Sequence, residues 1–483
     1  MSELGHKTIS SLSWRGISQL TSFVVRFIIG IVLARLLVPA DFGLVGMVSV
    51  LTGYARVVAN FGISGAVIQS KMVDDTLLSS IFWLNLGLGI LLTVIFTVCA
   101  PAISLFYAEP QLALIIPLIA LGFTIDTSCI LHKVIYKRQV DFKIVAQSDL
   151  WGIFGSSLIA ISMAYLGFGV WSLVAQVLTN SLLSSIYVWY SNRWRPKFIF
   201  KWTAIESLMG FSIGMFGVSS LNYWTNNIDN LLVGRVLGAS SMGIYVRSYA
   251  LMLMPISNVG TTISEVLFSS WSTVRDNNAK LRQLYLRSIG AISIIVFPLI
   301  IGLIVTCERF VRVVYGEQWI EMIPLVQIMC IASVFRLLEI FNRNIFRSKG
   351  ETVQEFRLLL ILRSIVIVSI IIGLRWGLLG VAIGYTISTA LTFIPFFYFS
   401  TRLIELNFFD VIRCLQGATG CSFVMGVLIY LIGGIDWKLQ SDAAILIFQM
   451  GVGSITYYIL LYCFRISSFL DIQNAIKQNL ARN

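Results

Sequence analysis

The sequence predicts an all-α polytopic membrane protein of about fourteen transmembrane helices. They form two six-helix lobes related by a pseudo-two-fold axis along the membrane normal, plus two C-terminal helices. Three observations lead there. The 483 residues are 57% hydrophobic and only 12% charged, with a mean hydropathy of +0.86, outside the range of soluble domains. Apolar runs of roughly 20 residues recur along the whole chain, the length a helix needs to cross a bilayer. A β-barrel would instead show alternating segments of about 10 residues. Third, part of the sequence repeats at a constant offset.

The expected spans fall near residues 12–34, 42–63, 81–106, 112–131, 148–166, 171–191, 207–227, 243–269, 288–306, 322–340, 356–374, 378–400, 415–434 and 443–463. Basic clusters punctuate them: Lys133, Lys137, Arg138 and Lys143; Arg193, Arg195, Lys197 and Lys201; Arg275, Lys280, Arg282 and Arg287; Arg343, Arg347, Lys349 and Arg357. Lys and Arg are retained on the cytoplasmic side during insertion, and most of the 35 fall there if the N-terminus is inside. Both termini are then cytoplasmic. This spread over short loops explains the net charge of +12 by contact with anionic headgroups and argues against a nucleic-acid partner. No cleavable signal peptide is read at the N-terminus. The seven cysteines are dispersed without Cys-x-x-Cys and read as packing residues. His6 and His132, the only imidazoles, lie outside the expected spans, so no metal site and no cofactor are expected.

The repeat matches Ala34–Leu44, ARLLVPADFGL, to Gly234–Ile244, GRVLGASSMGI, so that Arg35, Leu37 and Gly43 return as Arg235, Leu237 and Gly243 at an offset of 200. Weaker echoes are Ile135-Tyr136-Lys137 with Ile345-Phe346-Arg347, and Gly169-Val170 with Gly380-Val381. Six spans separate the matched segments, so both halves share one orientation across the membrane. The divisions are 1–200 (spans 1–6), 201–402 (spans 7–12) and 403–483, a helix pair with a cytoplasmic tail, and a central cleft between the lobes is expected.

Six arginines lie inside these spans: Arg15, Arg26, Arg56, Arg247, Arg336 and Arg363. Each would cost roughly 2.5–3.5 kcal/mol facing hydrocarbon at a helix centre, which points to a hydrated, positively charged cavity and an anionic cargo. Arg15 and Arg26 share one face of the first helix with Gln19 and Ser22. Arg15 has a second reading, snorkelling to the cytoplasmic headgroups, and Arg247 the same outward. Glu339 lies three residues from Arg336 and could pair with it along the helix. The remaining intramembrane acids, Asp126, Asp149 and Glu265, are peripheral, and Asp229 lies just past the seventh span. The central arginines Arg26, Arg56 and Arg363 are therefore expected to lack acidic partners. Guanidinium suits diphosphate because it stays protonated and forks onto two oxygens. Asn222, Trp224, Asn226 and Asn227, late in the seventh span, are candidate sugar contacts; the alternative is a polar, aromatic helix end at the interface. No Gly-x-x-x-x-Gly-Lys-Ser/Thr is present, so ATP drive is not supported.

Ala34 to Gly43, ARLLVPADFG, and Tyr315-Gly316-Glu317-Gln318-Trp319 after the ninth span resemble the polysaccharide-transporter family of the multidrug/oligosaccharidyl-lipid/polysaccharide exporter (MOP) superfamily. Within it the chain is most similar to colanic-acid-type exporters. The resemblance implies a MATE-like fold and a flippase, not an enzyme, in the bacterial inner membrane. Such a flippase would move an undecaprenyl-diphosphate-linked oligosaccharide to the periplasmic leaflet by alternating access. Its partners would be membrane lipids, a polysaccharide polymerase and a chain-length regulator. Relatives rely on arginines of the first, second and eighth spans, where Arg15, Arg26, Arg56 and Arg247 lie, and carry an acid where Asp41 lies. Asp41, Asp126, Asp229 and Glu265 are candidate gating or coupling residues, with H+ or Na+ as the ion. Two other functions were weighed: a cation-coupled multidrug exporter of the same superfamily, disfavoured by the excess of arginine, and a polysaccharide polymerase or ligase, disfavoured by loops too short for a catalytic site.

Overall fold

A computed structural model describes residues 3–60, 74–139, 141–435 and 441–466, with 469, 470 and 473. The side chains of 3–18, 20, 60, 204, 207–212, 214–215, 257–270 and 272 lie outside the description. The described residues are almost wholly helical: α1 (Glu3–Leu36), α2 (Pro39–Asn60), α3 (Asp75–Tyr107), α4 (Leu112–Arg138), α5 (Phe142–Tyr165), α6 (Val170–Ser191), α7 (Trp202–Ser272), α8 (Asn278–Phe310), α9 (Met322–Lys349), α10 (Thr352–Gly373), α11 (Gly377–Arg402), α12 (Phe408–Gly433) and α13 (Asp442–Cys463). Every expected span falls on one of them, save that the end of the second, 61–63, lies outside the described residues. Among the described residues, nine helical stretches are long and apolar enough to cross a membrane. With the family evidence given below, this makes the chain a multi-pass membrane protein.

One difference from the expected layout is that spans seven and eight share α7. The helix is broken only at Gly238, whose φ of +81° and ψ of −179° a side chain would resist. The repeated motif around Gly234–Ile244 is therefore helical on either side of that residue. Helices also run past the apolar windows, as α4 does to Arg138 and α9 to Lys349. Hydropathy registers only the lipid-compatible part, whereas backbone hydrogen bonding continues the helix beyond it.

The chain forms two compact units, Met1–Gly243 and Ile244–Asn483. In the first, α3 packs on α4, α5 on α6 and α1 on α5, while α2 lies against α3, α4 and α6. Small and hydroxyl residues let the helices approach: Thr93 Oγ1 donates to Ala120 O at 2.8 Å and meets Thr124 Oγ1 at 3.0 Å, joining α3 to α4. In the second, α9 and α10 pack on α11, and α12 and α13 pack on α8 and on each other. Val94, Val98, Ile365 and Val368 are exposed along α3 and α10, as acyl chains would require.

The two repeated motifs close on one another inside the first unit. A Cβ added to Gly43 would collide with the Ala239 carbonyl, and one added to Gly243 would collide with the Pro39 carbonyl. Residues 39 and 239 are themselves matched by the repeat, so the contact is reciprocal. Pro39 opens α2, where its missing N–H goes unneeded. Asp41 Oδ2 reaches back to the Val38 N–H at 3.2 Å, half of a capping box.

The second motif is a turn built for one shape. Val311–Tyr315 forms a π-helical turn, Gly316 takes φ +101°, and Glu317–Trp319 forms a 3-10 turn. Trp319 is fully buried with Tyr315 set edge-on to it, ring centroids 6.1 Å apart.

Candidate functional site

In the first unit, Arg56 projects from α2, four turns into the helix, and its Nε lies 3.7 Å from Asp126 Oδ2 on α4. Both side chains keep solvent access, 48% and 33%. The same wall carries an aromatic cluster. Tyr54 of α2 packs on Trp224 at 5.1 Å and on Tyr223 at 5.8 Å, and the Tyr223 hydroxyl donates to Val50 O at 2.6 Å. Gly53 makes room, since a Cβ there would run into the Tyr223 hydroxyl. Arg56 lies within electrostatic reach of that hydroxyl. Guanidinium, carboxylate and three rings thus converge on helices packed against each other, a setting in which a charge belongs and a lipid-facing one does not.

The candidate sugar contacts sit alongside. Asn222 and Asn226 are exposed one turn apart on α7. Asn226 Nδ2 donates to Asn222 O at 2.6 Å and Asn227 Nδ2 to Tyr223 O at 2.8 Å. These amides bond their own helix, which leaves their oxygens as the available acceptors. Asp229 is buried. Arg26 is exposed on α1. Arg15 lies on α1 and Glu265 on α7, but their side chains are outside the described residues.

The second unit corrects the arginine reading. Arg363 of α10 is ion-paired: its Nη2 donates to Glu339 Oε1 of α9 at 2.6 Å, with the side chains 13% and 16% exposed. The expectation that the deep arginines lack acidic partners fails here, and less tightly at Arg56. The expected Arg336–Glu339 pairing gives way as well. Arg336 Nη1 donates to the Tyr249 hydroxyl at 2.5 Å, and its guanidinium lies 5.6 Å and 5.7 Å from the Tyr249 and Tyr385 ring centres. Along-helix spacing made Arg336 the near neighbour, but the packing of α10 on α9 and α11 brought a better one from 24 residues away. Arg343 and Arg347 both reach the buried Glu355, Arg343 Nε at 2.7 Å. Arg247, on α7, is half-buried and interacts with Tyr315.

Magnitudes separate these arginines. An exposed ion pair is worth about 0–1 kcal/mol, so Arg56 can exchange Asp126 for another anion at little cost. Breaking a buried pair costs about 3–5 kcal/mol, so the Arg363–Glu339 pair resists exchange more than the Arg56–Asp126 pair does. Asp41 accepts from the Val38 N–H at the start of α2, the contact of a cap.

Two residues assigned outside the spans prove to be internal. Lys133, read as a cytoplasmic cluster member, donates to Asp149 Oδ1 and Ser184 Oγ, both at 3.0 Å. His132 is fully buried on α4 among Phe82, Trp189 and Trp194, 4.4 Å from Trp189. Both follow from α4 extending beyond its apolar run. The rings Tyr54, Tyr249 and Tyr385 were not read from the sequence; a tyrosine inside an apolar span was the available signal. Among the described residues, no cluster of His, Cys, Asp or Glu could hold a metal ion.

A family model described as "Polysaccharide biosynthesis protein" matches residues 32–324, more than half of the chain. The chain belongs to that family. Two relatives extend the likeness to nearly full length. One is the teichuronic acid biosynthesis protein TuaB of Bacillus subtilis (strain 168), 25% identical, covering 95% of this chain and 96% of that protein. The other is the lipopolysaccharide biosynthesis protein WzxC of Escherichia coli (strain K12), 24% identical, covering 88% and 85%. Among solved structures, the lipid II flippase MurJ in an inward closed conformation matches with a TM-score of 0.72 at 15% identity, over 93% of this chain and 98% of that one. An inward-facing MATE family multidrug transporter of the MOP superfamily matches at 0.65 with 16% identity, over 81% and 98%. The chain thus shares its fold with these two transporters.

Proposed function

We propose that this chain is a flippase that moves an anionic, lipid-linked oligosaccharide across the membrane, its headgroup carried on an undecaprenyl diphosphate. The observation that carries the reading is Arg56 held in a loose, partly exposed pair within a helix-packed wall, beside Tyr54, Tyr223 and Trp224. An incoming diphosphate replaces Asp126 on Arg56, and Arg26, exposed on α1, supplies further positive charge. The sugars meet α7 through the exposed amides of Asn222 and Asn226, which share one face, with the Trp224 ring round the helix from them. The names carried by the relatives, and the lipid II flippase with which the fold is shared, support this cargo class.

In the reading we adopt, the protein sits in a bacterial inner membrane with both termini cytoplasmic and works by alternating access. Residues 1–200 and 201–402 act as the two lobes, and 403–483 as an added helix pair. It hands its product to a polysaccharide polymerase with a chain-length regulator. H+ or Na+ coupling through Asp126, Asp229 or Glu265 fits this scheme. Deleting the gene should leave lipid-linked glycan on the cytoplasmic leaflet, and an Arg56→Ala copy should fail to relieve it at normal protein level. Full relief by that copy would remove Arg56 from the mechanism, and a deletion strain that accumulates no lipid-linked glycan would remove the transport reading.

A further inference from the structure

The second unit holds a cavity of about 730 Å3 that the transport reading leaves unused, formed where α8 ends and α12 and α13 meet. It adjoins the Tyr315–Trp319 motif, to which it owes Glu317. We propose that this cavity is a second carbohydrate site, which receives sugars of the translocated headgroup on the extracytoplasmic side. The proposal rests on the flippase reading for its cargo and for the side on which α8 ends.

The lining has both signs of charge, already arranged. Arg312 Nη1 lies 2.8 Å from Glu317 Oε2, and Arg312 Nη2 lies 3.3 Å from Glu308 Oε1. Arg309 Nη2 donates to Gly433 O at 2.6 Å, and its Nε is 3.9 Å from Asp442 Oδ1. A phosphate would have to displace these oxygens from the guanidinium groups. Hydroxyls need not, because each can donate to a carboxylate's spare lone pairs and accept from a guanidinium N–H.

One atom decides between donor and acceptor ligands. Gln449 is 1% exposed and lines the cavity, with Nε2 donating to Ile429 O at 3.0 Å. Its Oε1 has no hydrogen-bond partner in the protein. A buried acceptor in that position calls for a donor, which a sugar hydroxyl supplies and an ionised phosphate does not. The exposed Tyr430 ring at the rim gives a face for sugar C–H groups. The volume lies within the usual range for small-molecule sites, roughly 300–1,000 Å3.

The test uses the purified full chain in nanodiscs and, as probe, the repeat-unit oligosaccharide cut from the host's own surface polysaccharide. Binding is followed by equilibrium dialysis. The wild type should retain the probe; Gln449→Ala should weaken it roughly tenfold or more, as loss of a buried polar contact does, and Asp442→Asn should weaken it measurably but less, because that carboxylate is exposed. Asp442 is largely exposed, so Asp442→Asn keeps the test open should Gln449→Ala fail to fold. Unchanged retention by a folded Asp442→Asn protein overturns the site. So does protection of Gln449 by phosphatidylethanolamine in the nanodisc in place of the glycan, which would make this a lipid headgroup site. If the deletion strain accumulates lipid-linked glycan while these variants bind like wild type, the outer site falls and the transport reading stands.

Discussion

Glu339 binds Arg363 from the neighbouring helix at 2.6 Å, although Arg336 stands only three residues before it on α9. The pair is nearly buried, so removing one partner strands the other charge. Glu339→Gln should lower stability by about 3–5 kcal/mol, read as a fall in melting temperature of the detergent-solubilised protein. Replacing both, Glu339→Leu with Arg363→Met, should recover most of that loss. A single variant that melts like wild type would show the pair to be idle.

Arg56 should behave oppositely. Its carboxylate partner is partly exposed and 3.7 Å away, so Arg56→Ala should leave melting nearly unchanged while abolishing export of surface polysaccharide. Arg56→Lys should restore export only in part, because an ammonium does not fork onto two phosphate oxygens. Arg26→Ala should likewise abolish export. Normal export in both alanine variants would remove the assigned role.

The Tyr223 hydroxyl fixes the aromatic cluster by donating to Val50 O. Tyr223→Phe should cost about 1 kcal/mol of stability, and slow transport through a looser Trp224. Gly53→Ala, which drives a methyl into the same hydroxyl, should do more harm than Tyr223→Phe. Comparing the two variants by melting temperature and glycan export checks the order.

The proposed orientation makes a labelling prediction. A cysteine at Gln318 should react with an impermeant thiol reagent added from outside, and one at Asn277 should not. The reverse pattern would invert the assignment of both termini.

What the sequence yielded and what it withheld follow one physical division. Apolar run length depends on neighbours along the chain, so all the spans were legible, and the Val38-Pro39-Ala40-Asp41 start of α2 could have been read as a cap. Pairing depends on neighbours across helices. Arg363 with Glu339, Lys133 with Asp149, and His132 inside its ring of Phe82, Trp189 and Trp194 are set by which helix lies beside which, and no local pattern carries that. The Gly238 break in α7 was hidden for a different reason: helix continuity between two apolar runs leaves no hydropathy signal.

Gly43 rests against residue 239 and Gly243 against residue 39, each pair carried onto the other by the offset of the repeat. That is the signature of an isologous joint, where i meets j and j meets i. A half-length chain with one such glycine already owns both faces of a closed twofold dimer. Carried on one chain, such a joint closes at a concentration set by the helices between its two halves and not by how often separate chains would meet.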